Sequence, residues 1–405
     1  VALGLAVLED VFSLALAAFT AHRDVASMNV LYLTMNPNRV STTVPTEGWF
    51  RILRDQGLSP VLVSNTTGAF HQWAIDQRIP AYHVPLPFPD KWRPWPFFSS
   101  LWQLARIVKR HRIELIHCNE QNIYPIGQYL ARWTGLPVVV SIHFTMGRPF
   151  CQWAFGGKRQ PDRIFFISPG NLAECRPGVD GVIDESRWRM LYNGLDLTHF
   201  TVDASRRDAF RRKHGLEQAV AIGVACALRE RKQLEHLFAL GQRIDDPRLR
   251  IVVAGGSVPD EREYADKLIQ DAKSKLGERL IALGHLTELR DFYNGIDLFV
   301  NTSREEACSI SVLEAMACGC PVVGYASKSV DGQILPGGGE ITPQDDIPAL
   351  ATAVQSWITD GEKLAGGRAG ARKRVEDAFD IRKLAYQLFD EYDSLIGSGR
   401  KQKVA

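Results

Sequence analysis

Two doubly wound α/β domains in tandem are the fold class that the sequence predicts, and three observations carry the prediction. The chain has 405 residues, too many for one ordinary core and well suited to two. Short β-branched apolar runs alternate with amphipathic stretches from end to end, the order that builds a parallel sheet covered by helices on both faces. The alternation runs through twice, on either side of "LYNGLDLTHF", Leu191 to Phe200.

Taken in order, the first strand is "NVLYLT", just after Met28, followed by "PVLVS", "ELIHC", "PVVVSIH" and "RIFFIS". Helical stretches such as "EGWFRILRDQG" and "LWQLARIVKRHR" separate them. The second half repeats the plan with "AVAIGVACAL", "LRIVVAGG", "LIALG", "LFVNTS", "PVVGY" and "EIT". A long amphipathic helix, "IRKLAYQLFDEYDSLIG", closes the chain. The expected division is an extension at 1–27, a first domain at 28–195, a second at 196–380, and a terminal helix at 381–405 that crosses back to the first domain. The extension reads as an addition from an upstream start or a short accessory helix. Glu9 and Asp10 interrupt its apolar run and no basic leader precedes it, so it is a poor signal peptide.

Composition bounds the function. Hydrophobic content of 45% with 23% charged residues is that of a soluble globular protein, and no apolar run reaches the 18 or so residues a membrane span needs. The seven cysteines are odd in number, form no CxxC pair and sit mostly in apolar runs. Reduced, buried thiols and a cytoplasmic setting are expected. Cys318 and Cys320 could chelate a metal, but no second pair lies near them, so no metal site is assigned.

Charge is unevenly spread. Residues 28–200 hold 18 Lys+Arg against 12 Asp+Glu, whereas the whole chain is only +2. That surface suits anionic lipid or a phosphorylated acceptor, or it is an ordinary solvated one. Nothing points to nucleic acid. Within this half, "YHVPLPFPDKWRPWPFFSSLW" (82–102) precedes the basic "RIVKRHR" at 106–112. Trp and Tyr flanked by cations suit a membrane interface or sugar stacking. A proline-stiffened loop packed on its own domain is the competing reading.

Open α/β sheets bind ligands beyond the carboxyl ends of their strands, so the loops after strands are where function belongs. After "LFVNTS" comes "REEACSISVLEAMACGCPVV", with Glu306 and Glu314 separated by seven residues. Glu306 falls in the loop. Ser309 or Ser311 can begin a helix, and Glu314 then lies in its early turns. The amides of Ser309, Ile310 and Ser311 would be free donors at that helix start, a cradle for phosphate. Two hydroxyl acceptors flanking a phosphate cradle suit a sugar nucleotide. Against this, Ser311 and Glu314 have capping-box spacing, which serves any helix.

The run "LFVNTSREEACSISVLEAMACGCPVVGY" resembles the E-x7-E region of glycosyltransferase family 4, retaining enzymes of the GT-B fold. "ELIHCNEQN", "GLPVVVSIHF", "RIFFIS", "MLYNGLDLTHF", "LRIVVAGGS" and "LGHLTELRDFYNGIDLFV" stand in the same family's order, so the resemblance spans Met28 to Gly397. It implies that Glu314 takes the ribose hydroxyls and Glu306 the donor sugar. The amides at Ser309, Ile310 and Ser311 would hold the diphosphate or sugar, and Lys232 in "LRERKQ" would neutralise the leaving diphosphate. His143, ending "PVVVSIH", would lie near the transferred sugar and form the catalytic set with Glu306. Gly255 and Gly256 would let the backbone approach the nucleotide, or form an ordinary turn.

The chain departs from the family pattern at three places. Ala227 stands where the family has an arginine, so Arg229 or Arg231 would reach the phosphate, and Arg229 is assigned to the donor site. The first loop has Gly48 alone instead of a glycine pair, and Gly48 is placed on the acceptor side. Ala307 replaces a glycine. The expected activity is transfer from a nucleotide sugar, a substrate rather than a cofactor, to a glycan, lipid-linked or small-molecule acceptor, with no metal, since no Asp-x-Asp run is present to hold one. The basic, aromatic-rich first domain would make any peripheral membrane contact, at the cytoplasmic face. The alternatives are an epimerase or phosphorylase of the same fold, and a nucleotide-sugar-binding protein that has lost turnover.

Overall fold

The computed structural model describes residues 27–404 apart from Ser41, Ala307 and Lys328. The extension read at the start of the chain lies outside the described residues except for Ser27, and so does the Ala307 departure.

The N-terminal sheet is parallel and has seven strands: β1 (Met28–Thr34), β2 (Leu58–Ser64), β3 (Ala81–His83), β4 (Leu115–Cys118), β5 (Val138–Ile142), β6 (Arg163–Phe166) and β7 (Trp188–Met190). Their spatial order is 3-2-1-4-5-6-7. Six helices connect them: α1 (Val44–Arg54), α2 (Ala69–Asp76), α3 (Pro94–Arg110), α4 (Tyr124–Thr134), α5 (Arg148–Phe155) and α6 (Pro169–Val179). The C-terminal sheet has β8 (Val220–Ala225), β9 (Leu249–Ala254), β10 (Leu280–Gly284), β11 (Leu298–Asn301), β12 (Val322–Tyr325) and β13 (Gly339–Thr342), in the order 10-9-8-11-12-13 and again parallel. Its helices are α7 (Ala204–Lys213), α8 (Leu234–Arg243), α9 (Arg262–Leu276), α10 (Arg290–Gly295), α11 (Ile310–Ala317), α12 (Val330–Ile334), α13 (Ile347–Thr359) and α14 (Gly361–Ala378). The last helix, α15, is Ile381–Val404.

The central strands read as near-continuous apolar runs because helices cover both of their faces; Leu31, Tyr32 and Leu33 are fully buried. β3 and β7 are absent from the sequence reading. Each has three residues at a sheet edge and is only partly buried, too short and too polar to stand out. Several helices start where a capping residue stops the preceding loop. Ser168, Asp203, Asp346 and Asp360 each accept a backbone N–H of the first turn of α6, α7, α13 and α14.

α15 leaves the second domain and packs under the first. Leu195 N–H donates to Phe379 O and Ile381 N–H to Leu195 O, which pins the crossing (2.8 and 3.1 Å). Farther along, the Tyr392 hydroxyl hydrogen-bonds His117 Nδ1, whose Nε2 bonds Ser141 Oγ at 2.8 Å. Glu391 accepts from Arg163 and Arg189 at 2.7 and 2.5 Å. This helix therefore ties the two sheets into one unit and helps set the cleft between them.

Gly48 belongs to that seam. It is buried in α1, and a Cβ built on it would lie 2.3 Å from Ile381 Cδ1 of α15. The acceptor-side placement of Gly48 is corrected accordingly: the missing side chain allows two helices to approach. Gly48→Val should lower stability by about 1–3 kcal/mol through overpacking, read as a shift of the urea midpoint. Nucleotide affinity of the folded protein should not change; a stable variant with impaired nucleotide binding would return Gly48 to the cleft.

The proline-rich stretch is also more ordered than a loop. From Pro94 it is the helix α3, with Phe97, Leu101, Leu104, Ile107 and Val108 on its buried face. All seven cysteines are free; six are buried and Cys226 is half-buried. Burial pushes the Cys318 and Cys320 thiols up to about 12.

Candidate active site

The cleft is built from loops at the carboxyl ends of β5, β8 and β11. His143 directly follows β5. After β8 the chain makes a tight turn at Glu230–Lys232, completed by Gln233 in the left-handed conformation at φ 49°. Gln233 Nε2 donates to Asp345 Oδ1 at 2.8 Å, which fixes that turn from outside. The loop after β11 is tied to the same turn: Thr302 Oγ1 donates to Lys232 O at 2.8 Å, and Arg304 N–H donates to Arg231 O at 3.0 Å. Two loops 70 residues apart are thus held together.

This tie brings Lys232 against Glu306. The Lys232 ammonium donates to Glu306 Oε1, and both side chains are about 10% exposed. Arg231 Nη1 lies 3.9 Å from the same carboxylate oxygen. A cavity of about 620 Å³ between the domains is lined by His143, Thr145 and Asn193 on one side and by Arg231, Glu306 and Cys308 on the other. The structure therefore brings His143 and Glu306 to one cavity. Arg229 is not in this group. It pairs with Glu261 at 3.7 Å, so the arginine of the cleft is Arg231.

His143 is 2% exposed, and neither ring nitrogen makes a hydrogen bond of normal geometry. Burial pulls its pKa down to about 4, against a smaller opposing effect from the Asn119 backbone. The imidazole is therefore neutral at physiological pH, with one N–H to donate and one nitrogen to accept. A buried polar group without a partner is costly in the free protein, and this one lines the cavity.

α11 carries the second glutamate. Its N-cap is Ser309, not Ser311, and no side chain caps it. The capping-box reading of Glu314 is thereby overturned: Glu314 lies in the second turn and accepts from the Tyr293 hydroxyl at 2.7 Å. Burial raises the Glu314 carboxyl to about 7. The run of free amides at the start of α11 is also shorter than expected. Ser309 N–H already donates to Gln333 Oε1 at 2.9 Å, which leaves the amides of Ile310 and Ser311 as the cradle candidates. Gln333 is 1% exposed and its Nε2 donates back to Ser309 O at 3.2 Å, so it holds the start of α11 from the neighbouring helix α12. No pattern around Gln333 in the sequence signals this role.

Gly255 and Gly256 line a second cavity of about 450 Å³ on the C-terminal domain. Gly255 has φ +156°, and a Cβ there would sit 1.8 Å from the Cys226 carbonyl oxygen. Glycine is thus required first by the close approach of the loops after β8 and β9.

Sequence reasoning passed over Glu120, although "ELIHCNEQN" contains it. It is 5% exposed and follows β4. Its carboxyl accepts from Thr34 Oγ1 (2.9 Å), Met35 N–H (3.0 Å) and Asn119 Nδ2 (2.9 Å), which holds the first loop onto the sheet. Burial raises it to about 7 despite those bonds. It lines a third cavity with Asn36, Thr42 and Phe144, next to the main cleft. Its position just after a strand was the available signal. Among the described residues, no three His, Cys, Asp or Glu side chains are grouped as a metal site, and no helix is long and apolar enough to cross a membrane.

Two family models adjoin across the domain boundary: Glycosyltransferase Family 4 over residues 51–199 and Glycosyl transferases group 1 over residues 206–374. The chain is a family-4-like glycosyltransferase. Among relatives of this glycosyltransferase, the lipopolysaccharide core biosynthesis mannosyltransferase LpsB of Rhizobium meliloti is 28% identical over 218 residues, 51% of this chain and 61% of that one. The mannosyltransferase LpcC of Rhizobium leguminosarum, of the same pathway by name, is 25% identical over 76% of this chain and 84% of its own. The chain thus spans somewhat under two thirds of the first relative and more of the second. A solved structure of Anabaena Alr3699/HepE in complex with UDP matches with a TM-score of 0.81 at 19% identity, covering 91% of this chain and all of that one. That likeness shows the shared GT-B fold.

Proposed function

We propose that this glycosyltransferase moves a sugar from a nucleotide-sugar donor to an acceptor hydroxyl with retention of configuration and without a divalent metal. The observation that carries the reading is the ion pair of Lys232 with Glu306, which together with Arg231 lines one wall of a cleft whose other wall presents a neutral, unpartnered His143. In transfer, the bond from the anomeric carbon to the diphosphate oxygen breaks and the acceptor oxygen bonds to that carbon. Its proton leaves with the departing phosphate. Negative charge grows on the diphosphate, and preorganised cations lower the barrier where that charge develops. Lys232 has a flexible stem and a mobile point charge. On donor entry it exchanges Glu306 for phosphate, which frees the Glu306 carboxylate for a sugar hydroxyl. His143 donates to another hydroxyl or to the leaving phosphate. Glu314, beside Tyr293, takes ribose.

The two mannosyltransferases named above act in lipopolysaccharide core biosynthesis, which supports a lipid-linked glycan as acceptor. The basic, aromatic-rich N-terminal domain supports contact with a membrane surface. Incubation with labelled UDP-, GDP- and ADP-sugars tests the activity. At least one donor should be transferred or slowly hydrolysed at a rate EDTA leaves intact, with the anomer retained in the product. Binding without turnover would identify a lapsed enzyme, and a strict magnesium or manganese requirement would overturn the metal-independent mechanism.

A further inference from the structure

The N-terminal domain carries an exposed aromatic surface that the sugar-transfer chemistry does not use. On α3, Trp95, Phe98 and Trp102 are 79, 56 and 54% exposed, and Trp92, just before the helix, is 82% exposed. With Arg106 and Lys109 they follow one another at spacings of three and four, a single stripe along the helix. The opposite face already meets the folding requirement by burying Phe97, Leu101, Leu104 and Val108. Rings and cations are matched locally: the Arg106 guanidinium lies 4.7 Å over Trp102, and the Lys91 ammonium 5.0 Å over Trp92. The neighbouring helix α4 extends the surface with Tyr129 and Trp133, 44 and 56% exposed, and Phe97 packs edge-on against Tyr129 at 5.3 Å. Between positions 91 and 112 stand six Lys and Arg and no Asp or Glu.

We infer that the outer face of α3 is a docking surface for an anionic lipid bilayer. This rests on the proposed membrane contact of the N-terminal domain, and it names the element and the charge of the lipid. The chemistry favours this occupant on three counts. Trp and Phe set along one helix face, with basic side chains continuing the stripe, are the pattern of a helix lying in the headgroup plane, rings at the acyl boundary and cations at the phosphates. An uninterrupted basic run complements a negative surface, and each such cation near anionic lipid contributes about a fivefold gain in partitioning. A glycan would need a concave platform, whereas a helix exterior is convex. The placement also serves the reaction. α5 follows the loop that begins at His143, and its Trp153 packs at a tilt against Phe88, ring centroids 5.8 Å apart, in the segment leading to α3. A bilayer engaged by α3 therefore meets the acceptor-side domain, where a lipid-linked acceptor would arrive.

The test is co-sedimentation of the full chain with vesicles of phosphatidylcholine alone and of phosphatidylcholine with phosphatidylglycerol, at low and high salt. The chain should sediment with the anionic vesicles at low salt and be released by high salt. Neutralising three cations (Arg106→Gln, Lys109→Gln, Arg110→Gln) should weaken partitioning about a hundredfold. Removing three rings (Trp95→Ser, Phe98→Ser, Trp102→Ser) should weaken it at least about tenfold. All six side chains are exposed, and an unchanged thermal melt shows that each variant is folded. Absence of binding to anionic vesicles, equal binding to neutral ones, or native binding by both variants would overturn the inference. Hydrolysis of the nucleotide sugar without lipid, measured on the same samples, should be native in both. Turnover without vesicle binding removes the docking surface and leaves the transferase reading standing; vesicle binding without turnover does the reverse.

Discussion

Lys232→Ala should lower both the affinity for a nucleoside diphosphate and the rate of transfer, each by about ten- to a hundredfold, the scale of a lost charge-assisted bond to phosphate. Affinity falls because the ammonium is the more enclosed of the two cations at the cleft, with 12% of its side chain exposed against 53% for Arg231. Rate falls because the same charge meets the diphosphate as it departs. A second consequence is local. Glu306 is 9% exposed and loses its ammonium partner, so the variant should also lose some stability in the free state. Arg231→Ala should cost less, since an exposed cation is screened by water and salt. Calorimetric titration with UDP, GDP and ADP, together with turnover, reads all of this. Unchanged diphosphate affinity in Lys232→Ala would remove the lysine from the donor site.

The two glutamates should divide the donor between them. Glu314→Gln keeps an acceptor for the Tyr293 hydroxyl and removes the charge. It should weaken binding of the bare nucleoside diphosphate by about tenfold or more. Glu306→Gln should leave that affinity unchanged or slightly tighter, because Lys232 is released from its ion pair, and should lower turnover about ten- to a hundredfold. Only contacts that strengthen in the transition state appear in the rate in this way. pH gives an independent check. The Glu314 carboxyl is raised to about 7 by burial, so in the free protein it holds a proton below that pH and is ionised above it. Nucleotide affinity should therefore rise between pH 6 and 8 in the native protein, and Glu314→Gln should lack that part of the rise. Native affinity and turnover in both variants would take the two glutamates out of the donor site.

Much of this was legible in the sequence, for identifiable reasons. Each central strand is buried on both faces, so it appears as an unbroken apolar run, and the alternation with amphipathic helices implies two parallel sheets. Glu306 and Glu314 stand out because strand ends are visible and ligands bind beyond them, whereas His143 stands out only through the resemblance to the family. β3 and β7 were not legible, because three half-exposed residues at a sheet edge leave no periodic signal. Glu120 stands just past a strand end but outside any motif.

The sequence by itself determined the two sheets, the position of the loops after their strands, and the residue types those loops carry. Local pattern suffices for these, because burial and periodicity act over a few neighbouring residues. The tertiary structure alone decided which side chains meet. It turned Gly48 onto Ile381, paired Arg229 with Glu261 and sent Arg231 to the cleft. It gave Glu314 to Tyr293 instead of a helix cap, spent the Ser309 amide on Gln333, and left the rings of α3 facing outward. In each of these pairings the partner lies well outside the local pattern that sequence periodicity records, from 21 to more than 300 residues away. A hydrogen bond or an ion pair depends on distance and direction in space, and periodicity along the chain encodes neither.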